Sequence, residues 1–466
     1  MNRLIVIMLL LNSSSLIAQQ DVVFTQQEYI DIVREGHPIS YQAALLADMA
    51  DGVERMARGG FDPKVEGQWD QKSFKGTNYY SVGSAAVKVP TWYGVELKAG
   101  YDRSNGEFID DSDFLPSRGL WNAGISVPLG RGLVIDERRA ELQKAEIYRS
   151  ATEQEQLLLI NELLYEAANA YLEWQAARAY VLIAQDGLQL AETRFVGTVR
   201  SFENGDKPAI DTLESLISVQ TRELELQKAD QQLVAARLAV DNFLWVEGEV
   251  PLEVVPDAIP EDIDLTAYTL AVDSMVLVQD IWLSTHPELL LYDYKLDNLN
   301  VDERLAKEDL KPDVRVMYNP IVAVAEDALF DRLSADNYKL GVSVAYPIMQ
   351  RKQRGKLQLT RLKMENTQLD QSLKRQDLNV KLDTYINNIR QTQGQYALLT
   401  ETVTNYDLML TAENRKFDIG ESSIFLVNSR EIKYLESRYK LVEASRKLTF
   451  NKLTYLLLAA RLPSAL

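Results

Sequence analysis

Four segments of the chain alternate apolar and polar residues with a period of two. Tyr93, Val95, Leu97, Ala99 and Tyr101 share one face, against Gly94, Glu96, Lys98, Gly100 and Asp102. Trp121, Ala123, Ile125, Val127 and Leu129 lie opposite Asn122, Gly124, Ser126 and Pro128. Leu340, Val342, Val344, Tyr346 and Ile348 lie opposite Gly341, Ser343 and Ala345, and Val314, Val316 and Tyr318 make a shorter case. A period of two predicts strands. Their length and aromatic ends fit the lipid-facing wall of a barrel. A half-exposed strand of a soluble sheet alternates in the same way.

A different pattern fills most of the remaining chain. No proline occurs between Pro128 and Pro208, or between Pro347 and Pro463. The spacing predicts one helix over 133–200, roughly 100 Å long at ~1.5 Å per residue, and a second over 350–416. Each leads into a shorter helix, over 208–246 and 422–460. In the last of these, Ile432 and Tyr439, Leu435 and Val442, and Leu441, Leu448 and Tyr455 recur every heptad, as in coiled coils. The apolar stripe is narrow and the other positions are largely charged, which suits a tube or rod wetted on both sides.

These elements occur twice in the same order. His37-Pro38 leads to Asp62-Pro63-Lys64-Val65, and His286-Pro287 leads to Lys311-Pro312-Asp313-Val314. The interval from His37 to Pro63 equals that from His286 to Pro312. Downstream, Gly124-Ile125-Ser126-Val127 answers Gly341-Val342-Ser343-Val344, and Phe202-Glu203-Asn204-Gly205 answers Phe417-Asp418-Ile419-Gly420. One unit is used twice. Repeat 1 covers 37–246, with its strand region at 61–129, and repeat 2 covers 286–460, with strands within 312–348. An N-terminal segment (19–36), a connector (247–285) carrying Pro251, Pro256 and Pro260 with a short helix near 268–284, and a tail (461–466) complete the chain. Repeat 1 is the longer. Its surplus lies among residues 74–118, and either an added strand hairpin or a folded insertion would account for it. The two histidines precede prolines at helix starts, where the missing N–H is harmless. No ligand cluster accompanies them, so no metal site is expected.

Composition narrows the classes. The 466 residues are 46% apolar and 25% charged, ordinary for a folded chain, and the net charge of −18 argues against nucleic acid. Residues 1–18 read as a signal peptide: Arg3, then apolar Leu4–Leu11, then Asn12–Ala18 with cleavage placed after Ala18. The chain has no cysteine, hence no disulfides and no lipid-modified N-terminal cysteine. After the signal no apolar run is long enough for a membrane helix. Membrane embedding would then require strands closed into a barrel. The signal peptide and the aromatic strand ends bring that reading level with the soluble sheet. Two histidines and no cysteine remove most nucleophile–base pairs, and no phosphate-binding loop is present. The carboxylates sit on helix faces as solvated charge. No enzymatic activity and no cofactor are expected.

Taken together, the signal peptide, the tandem repeat, strands between helices, and two long helices closed by Phe-x-x-Gly in each repeat resemble the TolC-like outer-membrane channel family, over residues 25–460. The resemblance implies a mixed α/β membrane protein. Its very long helices would form a periplasmic helical barrel, and its antiparallel strands would contribute to a trimeric outer-membrane β-barrel. It implies a homotrimer in outer-membrane lipid that conducts cargo passively, as the exit duct of a tripartite efflux or type I secretion system. The partners implied are a periplasmic adaptor and an inner-membrane RND or ABC transporter. Phe202, Gly205, Phe417 and Gly420 would form the periplasmic tip that meets the adaptor. The type member locks its entrance with a tyrosine three residues before the second tip glycine, an arginine two after it, and acids six and nine after it. Here those positions hold Phe417, Ser422, Leu426 and Ser429, while the first repeat has Asp211 and Glu214. A phenyl ring has no hydroxyl to donate and serine cannot replace a charged fork. An entrance constriction of Asp211, Glu214, Phe425 and Leu426, apolar at its centre, is expected instead. The competing reading is a non-transporting coiled-coil structural protein of the periplasm or cell surface.

Overall fold

The structure is a computed structural model that describes residues 22–110, 114–265, 272–323 and 336–466. The expected signal peptide, and residues 266–271 of the connector, lie outside the described residues. The elements run β1 (Val22–Phe24), α1 (Gln26–Gly36), α2 (Pro38–Arg58), β2 (Lys64–Phe74), β3 (Thr77–Pro90), β4 (Glu96–Asn105), β5 (Leu120–Pro128), α3 (Glu137–Glu203) and α4 (Ala209–Asp241). They continue with β6 (Trp245–Val246), β7 (Val250–Pro251), β8 (Ala258–Pro260), α5 (Val272–Ser284), α6 (Pro287–Glu308), β9 (Asp313–Ala323), β10 (Tyr338–Ala345), α7 (Arg351–Asp418), α8 (Ile424–Leu458) and α9 (Leu462–Ala465).

The two histidines do the same local work. His37 Nδ1 accepts the backbone N–H of Ile39 at 3.2 Å, and His286 Nδ1 accepts that of Glu288 at 3.2 Å. Each imidazole caps the helix whose first residue is the following proline, satisfying one N–H that a helix start leaves without an intrahelical partner.

The chain divides into two compact units. One holds Leu157–Leu283, Leu378–Leu466 and the described residues up to Ala43; the other holds Ala44–Gln156 and Ser284–Asp377. The core of the first gathers Tyr29, Ile30 and Val33 of α1, Leu163, Leu164, Tyr171 and Trp174 of α3, Val240 of α4, and Leu453 and Leu456 of α8. The connector contributes to this unit. β8 pairs in parallel with β1, and the Tyr455 hydroxyl donates to the Met275 carbonyl of α5 at 3.2 Å.

The second unit carries a six-stranded antiparallel sheet in the order β10-β9-β5-β4-β3-β2. The surplus of repeat 1 is therefore an added hairpin. β2 and β3 turn through Lys75 and Gly76, both at positive φ (52° and 80°), as a tight two-residue turn requires. β4 begins later than the alternation suggests. Thr91–Val95 closes as a turn, with Thr91 N–H on the Val95 carbonyl at 2.9 Å and Gly94 at φ 79°. Tyr93 therefore sits in the turn, outside the strand.

The register places the apolar residues of neighbouring strands side by side. Val89, Leu97, Ile125, Tyr318 and Leu340 are successive partners across β3, β4, β5, β9 and β10. Val65, Val87, Ala99 and Ala123 follow across β2 to β5, and Val127, Val316 and Val342 across β5 to β10. The opposite face carries Lys64, Glu66, Lys88, Lys98, Glu96 and Ser126 in the same register. Gly124 lies on that second face at the seam between the repeats. A Cβ there would stand 2.0 Å from Asn319 Oδ1 and 2.5 Å from the Tyr318 carbonyl, so the seam closes only over glycine. Much of the apolar face is uncovered: Val65 is 80% exposed, Val344 66% and Val342 63%. β2 and β10 form the two edges of the sheet.

Candidate functional site

The repeated Phe-x-x-Gly has one physical explanation in both places. Gly205 N–H donates to the Phe202 carbonyl at 2.9 Å, and Asp206 N–H to the Ser201 carbonyl at 2.9 Å. Gly420 N–H donates to the Phe417 carbonyl at 3.1 Å, and Glu421 N–H to the Lys416 carbonyl at 2.8 Å. This paired bonding closes a helix when the residue after its cap turns left-handed. Gly205 has φ 83° and Gly420 φ 78°. The turns end α3 and α7 and deliver the chain to α4 and α8. There Ser423 Oγ caps α8 by accepting the Leu426 N–H at 3.3 Å, and Asp211 lies in the first turn of α4.

The phenylalanines of the two turns differ in surroundings. Phe202 is exposed. Phe417 is half-buried, and Lys207 Nζ lies 3.6 Å from its ring centroid, a cation–π contact that joins the two hairpin turns. Desolvation pushes the Lys207 pKa down, opposed by the nearby Asp211 carboxylate. Ser422 donates its hydroxyl to Glu413 Oε1, and Arg430 Nε lies 3.6 Å from Glu413 Oε2, so the second turn is held to both of its helices. The Ser422 bond is the main reason the Glu413 carboxyl stays below the usual carboxylate range.

Deeper in the hairpins is a buried ion cluster that the sequence reading missed. Glu431 of α8 is 1% exposed, binds Arg194 of α3, and lies 3.7 Å from Arg222 Nε of α4. Arg222 also binds Glu225 at 2.7 Å. Arg194 further donates to Asn428, whose amide reaches Glu214 Oε1 at 3.4 Å. A sequence signal existed: Ile424, Val427, Glu431 and Leu435 fall on one buried stripe, and a carboxylate on such a stripe needs a cation.

Among the expected constriction residues, Glu214 and Phe425 line the same groove between α4 and α8, about 460 Å³ in volume, with Ile217, Asn428 and Ile432. Asp211 approaches Lys207. Leu426 lies on the first turn of α8 and is exposed. The structure thus brings Lys207 near both Phe417 and Asp211, and Glu214 near Phe425. The contact at Phe417 comes from Lys207, a residue outside the expected set.

No family model and no curated protein matches the sequence. Solved structures do match across almost the whole chain. The outer membrane protein VceC from Vibrio cholerae is 14% identical with a TM-score of 0.63, over 93% of this chain and 95% of its own. The open state of the MtrE outer membrane channel from Neisseria gonorrhoeae is 14% identical with a TM-score of 0.63, over 97% and 94%. The CmeC outer membrane channel from Campylobacter jejuni is 10% identical with a TM-score of 0.61, over 93% and 85%. At such low identity it is the path of the backbone that is shared, and the long helices and antiparallel sheet give this chain the fold of the TolC-like outer-membrane channels.

Proposed function

We propose that the chain is the outer-membrane exit duct of a tripartite efflux or type I secretion system. The observation that carries this reading is the sheet: one apolar face runs in register across six strands, is largely uncovered, and ends in two edges. In lipid such a face is solvated and such edges must be paired. Pairing β2 of one copy with β10 of the next closes a ring. Three copies of six strands make a barrel of eighteen, on the order of the 16–18 strands that leave an aqueous channel. A coiled-coil structural rod would leave the apolar face without a role.

In this reading the helices form a periplasmic tunnel whose hairpin turns meet an adaptor. An inner-membrane RND or ABC transporter supplies the energy, and cargo passes without chemistry. The domain division of the sequence reading, two repeats around a connector, becomes two adjacent segments of the third of the duct wall that each subunit supplies. Nucleic acid and cofactors have no part in it.

The chain contains no cysteine, so introduced thiols report cleanly. Cysteines placed in pairs along β2 and β10 should cross-link between subunits and stop at a closed trimer in outer-membrane fractions. The same protein should conduct ions in planar bilayers. A chain that fractionates as a monomer, with no cross-link at any register, would overturn the proposal.

A further inference from the structure

The junction between β10 and α7 combines two features that no packing role explains. Tyr346, Ile348 and Met349 follow the strand and are 51%, 88% and 67% exposed. Immediately after them, α7 opens with Arg351, Lys352 and Arg354, all exposed and without an ion-pair partner among the described residues. The first turn of α7 holds no acid. Three cations at a helix N-terminus oppose the helix dipole, so they do not serve the stability of α7. Their sign is also opposite to that of the chain, whose net charge is −18.

The junction has a fixed geometry. Gln350 is buried at φ 47°, its side-chain amide donates to the Leu310 carbonyl at 2.8 Å, and its own carbonyl accepts the Arg354 N–H at 2.9 Å. One turn on, Lys356 pairs with Asp309 at 3.0 Å. Repeat 1 supplies an internal comparison. There the exposed Leu129, Leu133 and Val134 also follow a strand, but their neighbouring cations are neutralised: Arg131 by Asp309 at 2.9 Å, and Arg138 and Arg139 by Asp136 at 3.2 and 3.0 Å. Both repeats keep the apolar lip. Among the described residues, only the second leaves the cations of its first helical turn, Arg351, Lys352 and Arg354, without an ion pair.

We infer that Ile348 and Met349, with Arg351, Lys352 and Arg354, form an anchor for anionic phospholipid in the leaflet that meets the helices. The two apolar side chains enter the acyl boundary while the three cations meet phosphate headgroups, each adding attraction at the surface. This rests on the outer-membrane reading above. Apolar contact and charge act together, so a bilayer phospholipid is the ligand and free phosphate is not.

The test uses the full-length protein in detergent, titrated with equal amounts of phosphatidylglycerol and phosphatidylcholine, with retained lipid counted by native mass spectrometry. Wild type should retain phosphatidylglycerol at least threefold over phosphatidylcholine. R351Q/K352Q/R354Q should lose that preference, and R351K/R354K should keep it. I348S/M349S should retain less of both lipids, and soluble glycerol phosphate should not compete. K363Q/R375Q, farther along α7, should match wild type. Persistence of the preference in the triple glutamine variant overturns the inference. So does a variant that changes ion selectivity in bilayers while retaining lipid as wild type does, since those cations would then face the lumen. The readings separate: a wild-type chain absent from outer-membrane fractions defeats the duct, whereas one found there without lipid preference defeats only the anchor.

Discussion

Lys207 and Phe417, far apart in the chain, meet with the ammonium 3.6 Å from the ring centroid, and this contact couples the two hairpin turns. In the channel family that the sequence resembles, the type member has a tyrosine at the position matching Phe417. Here the ring contributes its π face in place of a hydroxyl.

Lys207→Gln and Phe417→Leu should each weaken the coupling by about 0.5–1 kcal/mol, the range for a partly exposed cation–π pair. Open probability in planar bilayers should rise a few-fold in either variant. The double variant should add little more, because the same contact is already gone. Fully additive effects would show that the two residues act independently.

The turn glycines test the equivalence of the repeats. Gly205 and Gly420 have nothing within 4 Å of a Cβ position, so substitution meets only backbone strain. Gly205→Ala and Gly420→Ala should each cost about 1–2 kcal/mol, the penalty of a left-handed alanine, measured by chemical denaturation. Asparagine should be milder. A large difference between the two sites would mean that one turn relaxes to another conformation.

Glu413 gives the second turn a pH dependence. Its carboxyl is held below the usual range first by the Ser422 hydroxyl and then by nearby Lys416 and Arg430. A depressed carboxylate stabilises the fold above its unfolded pKa, and the contribution is lost as pH falls through the folded value. A spin label on Glu421→Cys should therefore stay immobile until the pH drops below the ordinary glutamate range. In Ser422→Ala the label should loosen at higher pH. Identical profiles would exclude Glu413 as the cause.

Much of this arrangement was legible in the sequence, and the exceptions have physical reasons. Phe-x-x-Gly was readable because a left-handed turn leaves glycine in a fixed place, as at Gly205 and Gly420. β5 and β10 were readable because Trp121 to Leu129 and Leu340 to Ile348 alternate without interruption. β2 was not, because its apolar face holds Val65, Gly67, Trp69 and Gln71, and becomes apolar only beside Ala85 and Val87 of β3. The partner of Lys207 could not be read at all, since nothing local links it to Phe417. Glu431 could have been: it interrupts a stripe of buried apolar residues.

Removing Glu431 should be among the most damaging single changes in the hairpins. Glu431→Ala leaves half-buried Arg194 without its carboxylate and buried Arg222 with Glu225 alone, at a cost of about 3–5 kcal/mol by urea denaturation. Replacing all three with Leu and Met should recover most of that stability, because the uncompensated charges go with it. If the apolar triple variant is as unstable as Glu431→Ala, shape rather than charge holds the cluster.

In the proposed duct, Phe425 and Leu426 are the residues expected to narrow the entrance. They occupy the first turn of α8, are 67% and 40% exposed, and lie between buried Ile424 and Val427, which hold that turn in place. Truncating the exposed pair leaves Ile424 and Val427 untouched, so stability should change by no more than about 0.5 kcal/mol per site. The channel, by contrast, should respond strongly. Three copies of an apolar pair can expel water from a narrow opening and block ions without any charge. Phe425→Ala with Leu426→Ala should raise single-channel conductance several-fold in planar bilayers, while Arg200→Gln and Arg415→Gln should do much less. If the arginine variants open the channel and the double alanine does not, the constriction is electrostatic. Asp211 and Glu214 would then carry it, the first beside Lys207 and the second in the groove that Phe425 also lines.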